Sequence, residues 1–319
     1  MKCTTAMWGL VTIALSPLAI AQSYPVKPIR LVMAVSGGAE VVVRVASQRW
    51  LEVTGQPMVM EVQSGAGGAV GAEMVAKAAP DGYTLLLATA SAITIRPHVA
   101  RNTPYDPIRD FTPIISTGEA VSVVAANPNA PFSTIREMIQ YAKKNPGKLS
   151  YGSSGVGTSH HLSAEILRRA VDIDMVHVPY KTAPQLMTDT ISGQIPVGFT
   201  ILATISNNVK SGKLRLLAIY NSQRYPLIPD VPTLTEAAPG YEPPPGWMGY
   251  LGPANMPQPL VMRLNTEMAK YYSEPLMQSR ADAAGIMLGN TTPSEFAENL
   301  RREFAYAGRA VKAAGIQPE

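Results

Sequence analysis

Apolar and polar positions along the chain follow two rhythms: short continuous apolar runs, and longer stretches with the 3.6-residue period of a helix. "IRLVMAV" (29–35) predicts a buried strand, followed by the loop "SGGAE" (36–40) and a helix from Val41 to about Val53. Gly55 and Pro57 stop that helix, and "MVMEV" (58–62) is a second strand. The Gly-rich loop "SGAGG" (64–68) leads into a helix from about Ala69 to Ala79. The turn Pro80-Asp81-Gly82 then feeds a third strand, "YTLLLATA" (83–90). This βαβαβ order predicts parallel strands with right-handed crossovers.

A second series begins near residue 121. "VSVVAANP" is a strand, and Thr134 with Glu137 forms a capping box that opens the helix "IREMIQYAKKN", ended by Pro146-Gly147. "KLSYG" is a strand, "SSGVGTSHH" a loop and helix start, and "LSAEILRRAV" a helix. "DMVHVPY" (strand), "APQLMTDTISG" (helix), "IPVGFTI" (strand) and "LRLLAIY" (strand) complete the series. "QPLVMRLNTEMAKYY" predicts a further helix, and Thr292-Pro293-Ser294-Glu295 caps a final one. "PGYEPPPG" (239–246) is the strongest linker-like stretch. Two α/β lobes follow, with a cleft where loops leave strand ends and enter helix N-termini.

Composition narrows the function. The chain starts with Lys2, a short apolar run and Ala19-Ile20-Ala21, the pattern of a secretory signal peptide cleaved after Ala21. Cys3 is the one cysteine and leaves with that segment, so thiol catalysis, disulfides and cysteine-bound metals are excluded from the mature chain. The net charge of +4 is mild and no Lys/Arg block occurs, so nucleic acid is not an expected partner.

The Gly-rich loop does not complete a dinucleotide fingerprint. Position 70 is valine where a third glycine belongs, and no acidic residue ends the next strand. Glycine-freed N–H groups aimed by a helix N-terminus still suit an anion such as a carboxylate. Gly152-Ser153-Ser154-Gly155-Val156 lacks the last glycine of a nucleophile elbow. His160 and His161 are adjacent and diverge by about 100° on a helix, so they do not share a metal. His161 and Glu165 lie on one face but are too few for a site. His98 and His177 read as structural, and Trp247 as either cleft wall or interlobe core. No metal or cofactor is expected.

The motifs "YPVKPIRLVMAV", "GAGGAVGAE", "AAPDGYTLLLAT", "YDPIRDFTPI", "NPGKLSYGSSGVGTSHHLSAEIL", "VHVPYK", "SGKLRLLA" and "PDVPTLTEAAPGYE" occur in one order from about residue 24 to 316. In that order the chain resembles the Bug-type extracytoplasmic solute receptors of tripartite tricarboxylate transporters. The resemblance implies a two-lobed α/β periplasmic-binding-protein fold of type II-like form, closing by a hinge on its ligand. Lobe one would hold residues 22–122 and 238–319, and lobe two 123–237. It implies a monomeric periplasmic protein that delivers a di- or tricarboxylate, an acidic amino acid or an aromatic acid to membrane permease subunits, with no catalysis. A ligand-presenting sensor for a membrane histidine kinase, and a secreted hydrolase using Ser154 or Ser159 with a histidine, are the alternatives.

The resemblance assigns ligand contacts residue by residue. Lobe one would offer Ser36, Gly37, Gly38, Ala39 and Glu40, then Ser64, Gly65, Ala66, Gly67 and Gly68, with the hydroxyl of Ser91. Lobe two would close with Ser153, Ser154, Thr158, Ser159 and His161, and with Tyr180, Lys181 and Thr182. The family's first loop reads like P-G-G-S-T-D, here "SGGAEV", and its "ENRPGAGG" is "EVQSGAGG", with Val62 and Gln63 replacing Asn and Arg. Two family aspartates are replaced by Pro196 and Thr200. These departures imply an altered clamp, and with it either a changed ligand such as a less charged or aromatic acid, or a decayed receptor that binds poorly.

Overall fold

The computed structural model describes residues 24–35 and 38–318. The signal segment with its cleavage site, and Ser36 and Gly37 of the first expected loop, lie outside the described residues.

The first lobe opens as the periodicity predicts: β1 (Ile29–Met33), α1 (Gly38–Thr54), β2 (Met58–Val62), α2 (Ala69–Ala76) and β3 (Thr84–Thr89). β1 pairs in parallel with both β2 and β3. A π-type turn, Ser91–Ile95, then runs straight into α3 (Arg96–Val99).

Two further long strands are absent from the sequence expectation. β4 (Phe111–Ala120) and β10 (Trp247–Pro253) lie antiparallel to each other, with β10 against β3 and the short β11 (Ile286–Leu288) on the outer side of β4. The six-stranded sheet is therefore mixed, in the order β11-β4-β10-β3-β1-β2.

The second lobe holds β5 (Ser122–Ala126), α4 (Ile135–Lys144), β6 (Leu149–Ser153), α5 (Ser159–Ala170), β7 (Met175–Pro179), α6 (Ala183–Ser192), β8 (Val197–Ile201), α7 (Leu202–Lys210), β9 (Arg215–Ile219) and α8 (Leu234–Ala237). Its sheet has the order β7-β6-β8-β5-β9, with β6 parallel to its neighbours and β5 antiparallel to β8 and β9. The capping box of α4 forms as read, with Thr134 accepting from the Glu137 amide.

α9 (Gln258–Tyr272), α10 (Pro275–Ala283) and α11 (Pro293–Ala314) return to the first lobe. Leu264, Met268 and Met277 join Trp50, Leu31 and Leu85 in one apolar core. Each such fully buried side chain contributes roughly 2 kcal/mol of transfer free energy. A second core around Val124, Phe132, Tyr151 and Phe199 serves the other lobe.

The chain crosses between the sheets at two places. At the first, Val121 joins β4 to β5; its N–H donates to Gly285 O and its carbonyl accepts from the Leu202 amide, both at 2.8 Å. The second is the proline-rich stretch, which is packed rather than a free linker. Tyr241 is buried in the second-lobe core with its hydroxyl 2.7 Å from Ser163 Oγ. Trp247 belongs to the first-lobe core, edge-on to Phe296 with ring centroids 5.0 Å apart. α11 bridges the lobes by packing on β4, on the Ser91–Ile95 turn and on α5.

Candidate functional site

The loop between β2 and α2 is a short kinked turn, Gly65–Gly68, in which Ala66, Gly67 and Gly68 all take positive φ. Gly68 is fixed by contact as well as by conformation. A Cβ there would sit 2.7 Å from Ala34 O and 2.9 Å from Ala92 Cβ, so only glycine lets the loop pack on the end of β1. The loop uses part of its own donor set: the Gly68 amide donates to Ser64 O at 3.1 Å, and the Ala69 amide to Gly65 and Ala66 carbonyls. It is a poorer N–H cradle than its glycines imply.

In the first loop of that lobe, α1 begins at Gly38 rather than at Val41, with Ala39 buried and Glu40 within 3.4 Å of Arg44. Ser91 starts the π-type turn, and its hydroxyl lies 3.4 Å from that of Ser159 in the other lobe. These two expected contact residues meet directly.

Opposite them, Thr158 caps α5 by accepting from the His161 amide. Gly157 lies so close to α3 that an added Cβ would be 2.5 Å from Val99 Cγ2. Ser153 is fully buried, with its Oγ 2.7 Å from His177 Nε2. Ser154 Oγ lies 2.5 Å from His160 Nδ1. His161 accepts the Gly157 amide at Nδ1 and stacks on His177 with centroids 4.0 Å apart. Tyr151 stacks on the far side of His177 and donates to Glu165 Oε1 at 2.8 Å, while Arg168 pairs with Glu165 Oε2 at 3.0 Å.

His161, which is buried, and His177, which is half-buried, therefore form a stack beneath the loop, and His161 spends Nδ1 on the backbone. Burial holds His160, His161 and His177 down to about 4, with the neighbouring His161 charge adding to the effect at His177. All three are neutral at pH 7, and at His161 the acceptor role of Nδ1 places the proton on Nε2.

The remaining expected residues are mixed. Tyr180 is buried and donates to Asp189 Oδ2 at 2.8 Å; burial, then Asp189, pushes its phenol up to about 12. Lys181 and Thr182 are exposed, and Thr182 caps α6. Thr200 is buried, its hydroxyl 3.2 Å from that of Thr204.

Arg96 escaped the sequence reading. Its Nη1 lies 3.7 Å from where a Cβ on Gly67 would be, and its Nε is buried without a hydrogen-bond partner. It takes part in none of the ion pairs found among the described residues. A separate cavity of about 400 Å³ sits at the two chain crossovers and is lined by Glu119, Trp247 and Glu303 among others.

Comparison with known proteins agrees with this architecture. The sequence profile described as "Tripartite tricarboxylate transporter family receptor" matches residues 42–315. A structure described as that of a periplasmic transporter is 37% identical, with a TM-score of 0.80 over 92% of this chain and 99% of that one. An adipate-bound protein of R. palustris is 28% identical, with a TM-score of 0.83 over 93% of this chain and 100% of its own. A malate-bound protein, MatC of Rhodopseudomonas palustris, is 26% identical, with a TM-score of 0.77 over 90% and 100%.

Proposed function

The chain belongs to the tripartite tricarboxylate transporter family of receptors, and from that premise we propose that it is a periplasmic solute-binding protein. It captures a small organic carboxylate between its lobes and passes it to the permease subunits of a tripartite transporter. The contact of Ser91 with Ser159 carries this reading, because it brings the helix-leading loops of the two lobes to one place. Adipate and malate in the related structures support the ligand class. The ligand groups are the loops 36–40 and 64–68, Ser91, and the loop from Ser154 that leads into α5 at Ser159. The lobes divide near residues 122 and 238, the monomer is the working unit, and the leader is removed after Ala21.

Capture without chemistry fits the second-lobe serines better than hydrolysis does. Ser153 is fully buried. Ser154 pairs with a histidine held near 4, a weak base at neutral pH. A dissociation constant near 1 μM corresponds to about 8 kcal/mol. A helix N-terminus contributes at most about 2 kcal/mol toward an anion. Closure of both lobes and a charged partner must supply the rest.

Isothermal calorimetry of the mature chain against malate, adipate, citrate, glutamate and benzoate tests the proposal. One of these is expected to bind at micromolar concentration and to raise the unfolding temperature. A folded preparation that binds none of them would overturn it.

A further inference from the structure

The Ser91–Ile95 turn is a π-type turn, and Arg96 is the residue that follows it. An extra residue in a helical turn rotates everything after it, and such insertions recur at functional sites. Here the rotation sets the guanidinium of Arg96 beside Gly67, on the loop that carries the positive-φ glycines. Its Nε is buried and makes no hydrogen bond. Tyr105, whose phenol feels the Arg96 charge, has already given its hydroxyl to Ala92 O at 2.6 Å. A half-buried cation with no ion pair among the described residues is costly to keep, unless something anionic arrives to meet it.

The backbone nearby cannot take that role alone. Gly68 and Ala69 have turned their amides to the loop's own carbonyls. The turn that delivers Arg96 also begins with Ser91, the residue in contact across the cleft.

We propose that Arg96 is the counter-charge for a ligand carboxylate seated against the Gly65–Gly68 loop, and that it makes the site select an ionised carboxylate over its neutral analogue. The assignment rests on the carboxylate-capture reading above. Arg96 supplies what the glycine loop lacks: a fixed positive charge with several donors in one plane, suited to two carboxylate oxygens.

The test uses the mature chain with malate and adipate as probes, each compared with its diamide. In the wild type, the acid is expected to bind at least tenfold more tightly than the diamide. Arg96→Gln should weaken acid binding tenfold or more and leave acid and diamide within about threefold of each other. Arg96→Lys, which keeps the charge but loses the planar fork, should fall between. Arg96→Gln removes an unpartnered buried donor, so its unliganded unfolding temperature should match or exceed the wild type; Arg96→Met serves in its place if it does not fold. If the wild type binds a probe and Arg96→Gln binds it equally well, the role of Arg96 is refuted while capture stands. If the wild type binds neither these probes nor any acid of the wider panel, both proposals fall together.

Discussion

At pH 7 the three histidines of the second lobe are neutral, because burial holds each of them down to about 4. Unfolded, each would titrate near 6.5, so the unfolded chain binds more protons between about pH 4 and 6.5. Their contribution to stability is complete above that window and is lost as pH falls through it. Glu303 behaves in the opposite sense. Burial pushes it up to about 7, with Arg302 pulling it down and Glu119 pushing it further up. An unfolded glutamate titrates near 4.3, so here the folded state holds the extra proton. Its favourable contribution is full at low pH and is lost as pH rises through about 7, where a charge must be buried. Glu119 is raised by burial as well and adds to the same trend, against its hydrogen bond with Asn221. Glu303→Gln should therefore unfold at the same temperature as wild type near pH 4.5, and at a higher one above pH 7. Its own stability should fall more steeply on acidification from pH 6.5 to 4, because the opposing contribution of Glu303 is gone. Thermal melts of both proteins from pH 4 to 8 check this; a constant difference across the range would refute it.

Among the elements, the Gly65–Gly68 turn shows how closely one loop can be tied to its neighbours. Gly68→Ala would meet Ala34 O at 2.7 Å and Ala92 Cβ at 2.9 Å, with φ at +95°. The combined overlap and left-handed strain should cost about 2–4 kcal/mol, read as a lower urea midpoint. Carboxylate affinity should fall too, because relief means moving the loop away from β1. Gly55→Ala, at positive φ with nothing within 4 Å, is the control and should cost about 1 kcal/mol with affinity unchanged. The sequence marked this loop well, just as it marked the βαβαβ unit and the caps at Thr134 and Thr292, since those signals are local. It did not mark β4 or β10. "FTPIISTGEA" is broken by Pro113 and Gly118, and "WMGYLGP" is buried on both faces, so neither alternates between apolar and polar. Arg96 and the His161–His177 stack were hidden for a related reason. Each depends on a neighbour brought close by a π-type turn or by parallel pairing of β6 and β7, and no local pattern encodes that distance.

For the whole molecule, closure is governed by how much of the interlobe surface is already fixed. Ile95 and Val99 from the first lobe share a cluster with Leu162 of α5 and with Val311 of α11, so the lobes meet through an apolar contact beside the site. The crossovers at Val121 and ahead of Trp247 are the covalent links, and each is anchored by buried side chains, Val121 at the first and Tyr241 and Trp247 at the second. Opening must therefore separate α5 from the Ser91–Ile95 turn while the crossovers flex. Ser91 and Ser159 are the natural reporters, since their hydroxyls stand 3.4 Å apart in this structure. The sequence after Cys3 has no cysteine, so a pair placed there has no competing thiol in the mature chain. Ser91→Cys with Ser159→Cys is expected to form an intramolecular disulfide under mild oxidation, faster when a bound carboxylate holds the lobes together. Closing a loop of this length should stabilise the fold by roughly 4 kcal/mol on loop entropy alone. The oxidised protein should also exchange ligand far more slowly than the reduced one, and reductant should return release to the rate of the never-oxidised variant. Free-thiol titration with and without malate or adipate, followed by stopped-flow ligand release, measures both effects. If the two thiols stay free under conditions that oxidise a surface pair, the lobes do not hold this Ser91–Ser159 contact in solution.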